Sequence, residues 1–62
     1  MDPREFIEDF GEEVYGLYMY KQYKKMGYNG CVMAVQEIAD ENRINIERWS
    51  EDELEWVIDE IF

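Results

Sequence analysis

The chain has no histidine and a single cysteine, Cys31. No internal disulfide is therefore available, and neither a zinc site nor a cysteine–histidine nucleophile can be assembled from what remains. Glycine and proline are sparse, four and one residues, and nothing has the spacing of a phosphate-cradling loop. Positive charge is the scarcest property: six Lys and Arg stand against sixteen Asp and Glu, a net charge of −10 over 62 residues. General attraction to phosphate comes from Lys and Arg, so direct binding to nucleic acid or to an anionic membrane is not expected. No stretch approaches the roughly 18 apolar residues of a spanning helix, and the first residues are acidic where a secretory signal is basic and then apolar. The expectation is a cytoplasmic protein without cofactor or metal.

What is present is apolar and aromatic. Hydrophobic residues make up 47% of the chain and aromatics 16%, too much for a disordered acidic tail, so the chain should fold as one domain. A domain this small buries only about 60% of its unfolded surface. At about 0.05–0.15 kcal/mol per residue its stability comes to roughly 3–9 kcal/mol, which makes association with a partner or a second copy (a homodimer) energetically significant.

Charge is unevenly spread. Residues 1–13 carry six acids and one base, residues 14–36 three lysines and no acid, and residues 37–62 ten acids and two arginines. All five tyrosines (Tyr15, Tyr18, Tyr20, Tyr23, Tyr28) lie in the acid-free middle.

The pattern predicts an all-α, three-helix bundle with helices over about 3–26, 30–42 and 51–62. Asp2 as N-cap, Pro3 at the first helical position and Glu5 three residues after the cap start the first helix. Phe6, Ile7, Phe10, Val14, Leu17 and Tyr18 give it one apolar face, and a bend is expected near Gly11. Lys21, Lys24 and Lys25 suit its C-terminal end, and Gly27 with Asn29-Gly30 closes it. The second helix buries Cys31, Val32, Val35, Ile38 and Ala39, and a loop follows with Ile44 and Ile46 turned inward. Ser50 and Glu53 form a capping box for the third helix, with Trp49 as a hydrophobic staple and Leu54, Val57, Ile58 and Ile61 as its core face.

Function is sought in groups the bundle does not need. Trp56 lies on the far side of the third helix from that core face, and its neighbours at three and four residues are Asp52, Glu53, Asp59 and Glu60. An aromatic anchor ringed by carboxylates suits an interface with a basic protein surface. The plainer reading is that Trp56 packs on another helix or on a second copy and the acids are simply solvated. On the first helix Tyr15, Met19, Tyr23 and Met26 form a second apolar stripe, either sandwiched between the other helices or free for self-association. Lysines interleaved with tyrosines also suggest a platform for single-stranded nucleic acid, a reading the overall charge opposes.

Catalysis has only carboxylate pairs to offer, Asp52/Glu53, Glu55/Asp59 and Glu37/Glu41. On exposed helix faces these are ionised, and no calcium-loop spacing or turning glycine accompanies them. The chain is not expected to be an enzyme. Ala34–Ala39 followed by Ile44–Trp49 resembles a helix-turn-helix over about a third of the chain. The segment that would read DNA, Ser50–Phe62, is full of Asp and Glu, which phosphates repel.

The leading expectation is thus a small acidic protein-binding module, an inhibitor or adaptor that docks its Trp-bearing helix on a basic surface of a nucleic-acid-handling protein. In its strong form this is nucleic-acid (DNA) mimicry of the phage- or virus-encoded kind. The alternative is a self-associating regulatory or structural subunit that uses the Tyr/Met face.

Overall fold

The computed structural model describes residues 1–62. It contains three α-helices, α1 (Pro3–Tyr20), α2 (Tyr28–Glu41) and α3 (Glu51–Ile61), with a single 3-10 turn over Tyr23–Met26 and no strand. The all-helical three-helix bundle is as expected.

Both helix starts are set by the expected local chemistry. The Asp2 carboxylate accepts a hydrogen bond from the Glu5 backbone N–H at 2.9 Å, and Pro3 occupies the first turn, where no donor is needed. That bond holds the Asp2 carboxyl below its ordinary pKa, while the Asp2 side chain beside it raises that of Glu5. At α3 the box is reciprocal: Glu53 N–H donates to Ser50 Oγ at 3.1 Å, and Ser50 N–H donates to Glu53 Oε1 at 2.9 Å.

The ends of α1 and α2 differ from expectation. α1 stops at Tyr20 rather than Met26, because Gln22 adopts a left-handed conformation (φ 58°) and its N–H donates to the Met19 carbonyl three residues back instead of continuing the four-residue ladder. Gly27, at φ 63°, marks the start of α2 rather than the end of α1. α2 begins at Tyr28, so Gly30 sits inside its first turn. A Cβ at Gly30 would fall on the Tyr23 carbonyl; the missing side chain lets the 21–27 connection lie directly against α2. Helical structure runs without interruption through Gly11. α2 ends in a Schellman arrangement with Arg43 at the left-handed position (φ 57°): Ile44 N–H donates to the Ala39 carbonyl at 2.8 Å and Arg43 N–H to that of Asp40 at 3.2 Å.

The core joins Phe6 and Val14 of α1, Cys31, Ala34, Val35, Ile38 and Ala39 of α2, Val57 and Ile58 of α3, and Ile46 from the loop. Phe6 is its hub at one end, 5.3 Å edge-on to Trp49 and 5.5 Å from Phe10 between ring centres. Trp49 Nε1–H reaches the Met1 carbonyl at 3.3 Å and ties the loop to the chain's start. α2 therefore returns antiparallel to α1. α3 starts beside the α1 N-terminus and ends where Phe62 meets Tyr15 and Tyr18, with ring centres 5.9 and 4.6 Å apart. α1 and α3 run in the same direction, side by side, and this placement creates the candidate site.

Candidate docking surface

Trp56 is 40% exposed. It neither stands free nor enters the core. It borders a surface depression that Arg4, Ile7 and Glu8 of α1 also line. Because α1 and α3 are parallel, three shallow depressions follow one another along the seam between them, called the groove below. At one end Asp2, Pro3 and Arg4 face Asp52, Glu53 and Trp56. In the middle Arg4, Ile7 and Glu8 face Trp56 and Glu60. At the far end Ile7, Gly11, Glu12 and Tyr15 face Glu60 and Ile61.

Neighbouring stretches share Trp56 and Arg4, then Ile7 and Glu60. On each helix the participants recur at three- and four-residue steps, 4, 7/8, 11/12 and 15 on α1 and 52/53, 56 and 60 on α3, which is one face of each cylinder. At the far end Gly11 has no side chain, which leaves space between Ile7 and Ile61. A Cβ there would rest in ordinary contact, 3.8 Å, from both Ile61 Cγ1 and Ile7 Cγ2.

Of the residues singled out on the third helix, Asp52, Glu53, Trp56 and Glu60 line this groove. Asp59 does not. It lies on the opposite flank of α3 with Glu51 and Glu55, close to Tyr28 of α2. The Tyr28 hydroxyl, itself half-exposed, has its pKa raised first by partial desolvation and then by the fields of Glu55 and Asp59. The contribution of α1 went unforeseen. The sequence pattern puts Ile7 on the core face and makes Gly11 only a point of bending, and it gives Arg4, Glu8 and Glu12 no role. The signal available was the matching four-residue step of Arg4, Glu8 and Glu12, but periodicity does not say which helix will lie alongside.

The Tyr15/Met19/Tyr23/Met26 stripe does not exist as one helical face, because α1 ends at Tyr20. Tyr23 packs half-buried against the core, and Met26 ends the 3-10 turn with its side chain exposed. Tyr15 belongs to the aromatic cluster with Tyr18 and Phe62 at the groove's far end, and Met19 is exposed beside it on α1. The three lysines of the 21–27 connection are all exposed, and Tyr20, at the end of α1 just before them, is the most exposed of the large hydrophobic side chains, at 83%.

Charge compensation is almost absent. The protein's one ion pair joins Lys21 Nζ to Glu37 Oε1 at 3.8 Å, on the α2 side. None of the carboxylates of α3 has a cation within ion-pairing distance. Acids in the first turn of α3 (Glu51, Asp52, Glu53) agree with the helix dipole, but Asp59 and Glu60 occupy the last turn, which contains no base, and oppose it. Glu51/Glu55 and Glu55/Asp59 are like charges four residues apart, each pair unfavourable by a few tenths of a kcal/mol. Helix α3 thus carries more negative charge than its own stability favours.

Cys31 is buried, and desolvation pushes its thiol pKa above the ordinary value. No cluster of three metal-ligating side chains occurs, and no helix is long and apolar enough to cross a membrane. No family model, curated protein or solved structure matches the chain.

Proposed function

We propose that this protein is a small acidic binding module, an inhibitor or adaptor that docks the α1/α3 side of its bundle on a basic surface of a nucleic-acid-handling protein. The observation that carries the reading is the composition of α3: a tryptophan left 40% exposed among carboxylates none of which forms an ion pair, on a helix whose buried residues are only Val57 and Ile58. Unpaired carboxylates raise the association rate with a basic partner through their long-range field, and an aromatic that becomes desolvated on contact slows dissociation. Local electrostatic strain retained on one surface is typical of positions kept for binding rather than for folding.

The test immobilises the protein, captures its partner from the native host's extract, and repeats the capture with Trp56→Ala and with Asp52→Asn/Glu53→Gln/Glu60→Gln. The expected result is a basic, nucleic-acid-handling protein that duplex DNA displaces and both variants lose. Retention should weaken steeply as salt shortens the Debye length from about 30 Å to about 8 Å. Capture that neither salt nor either variant diminishes contradicts the reading. Direct binding of the protein to DNA or RNA in a gel shift would also contradict it.

A further inference from the structure

We infer that the occupant of the α1/α3 groove is an amphipathic, Lys/Arg-rich helix presented by another protein. This rests on the docking role proposed above and specifies its partner.

The seam is not a plain field of charge. Its apolar residues, here called the floor, are Ile7, Gly11, Trp56 and Ile61, and its acidic residues, here called the rims, are Glu8 and Glu12 on α1 with Asp52, Glu53 and Glu60 on α3, which outnumber its one cation, Arg4. From Arg4 to Tyr15 it extends over about three helical turns, roughly 16 Å. A flat basic surface that binds nucleic-acid backbone would meet the carboxylates but leave the indole and the two isoleucines against polar groups. A helix with an apolar stripe flanked by cations satisfies floor and rims together, with anchors repeating at three- and four-residue steps like those of the groove.

Burying Trp56 and the isoleucine side chains supplies affinity, while the rims select cationic flanks and repel acidic helices. A second copy is a poor occupant. The one basic cluster of this chain, Lys21, Lys24 and Lys25, lies in the connection and the 3-10 turn of Tyr23–Met26, which is too short to fill three turns, and two chains of charge −10 repel.

Gly11 supplies a specific means of closing the groove. The position is helical and a Cβ there meets only ordinary contacts, so Gly11→Met is expected to fill the floor while raising helix propensity, and its thermal midpoint checks that the fold is kept. The experiment titrates the intact protein by calorimetry with a synthetic peptide of about 14 residues, roughly 21 Å as a helix, containing only leucine and lysine. Its leucines form one stripe. A second peptide has the same composition with leucines distributed around the helix.

The striped peptide is expected to bind at least about tenfold more tightly than the permuted one. Gly11→Met should weaken it by about tenfold while its thermal midpoint stays level or rises. Equal affinity for the two peptides, or undiminished binding by Gly11→Met, overturns the groove assignment. If in that case Glu12→Gln/Glu53→Gln/Glu60→Gln still abolishes binding, the acidic docking face survives without the groove. If neither peptide binds at about 100 μM, the inferred partner is wrong. Sedimentation showing a wild-type dimer that Gly11→Met dissociates would assign the groove to a second copy and overturn the inference as well.

Discussion

Helices α2 and α3 are similar in length and differ in what they do with their side chains. α2 buries Gly30, Cys31, Ala34, Val35, Ile38 and Ala39, on two adjoining flanks, and lies between the 21–27 connection and the rest of the bundle. α3 buries only Val57 and Ile58, half-buries Leu54 and Ile61, and turns a tryptophan and six acids outward. One helix is committed to the fold and the other carries chemistry the fold does not use. In a bundle of 62 residues with a few kcal/mol of stability, such an excess on one helix is the contrast on which the proposed docking role rests.

The contrast can be broken first at its largest expected effect. Ile38→Ala on α2 should cost about 2–5 kcal/mol in urea unfolding, a large share of the domain's whole stability, while Trp56→Ala on α3 should cost about 1 kcal/mol and lose the partner. Comparable destabilisation by the two would mean that Trp56 belongs to the core. Next in size is the start of α3. Ser50→Ala removes half of the capping box and should destabilise by about 1 kcal/mol, showing that α3 depends on its cap because it buries so little.

At the α2 end, Arg43→Gly should stabilise the protein by about 0.5–1 kcal/mol, since the left-handed position of the Schellman motif then carries no Cβ. Unchanged stability would show that Arg43 has a compensating interaction. The smallest effect sharpens the comparison most. Asp59→Lys, in the last turn of α3 but outside the groove, should raise stability by about 0.3–1 kcal/mol. It should slow partner association by weakening the field and leave dissociation unchanged.

Much of the fold was legible because its signals are local. Asp2-Pro3-Glu5 and Ser50/Glu53 specify helix starts through bonds spanning three residues, and the core faces of all three helices follow from helical periodicity. The end of α1 was not legible. Gln22 and Arg43 adopt left-handed conformations with no residue preference to announce them, so the first helix was extended to Gly27, the next glycine in the sequence. Gly30 was taken for a stop when its role is a close approach between backbones.

The site was half legible for the same reason. That Trp56 leaves the α3 core face is a property of one helix. That Arg4, Ile7 and Gly11 would lie beside it, and that Asp59 would face Tyr28 instead, depends on the parallel placement of α1 and α3, a tertiary relation absent from either helix alone.

Docking through the α1/α3 side, as proposed, can be seen in an amide and indole NMR map of the folded protein titrated with the striped leucine–lysine peptide. Shifts concentrated at Ile7, Gly11, Tyr15, Trp56 and Glu60, with α2 from Ala34 to Ala39 unmoved, are the predicted result. Shifts spread evenly over the surface, or centred on Lys21–Met26, would contradict it.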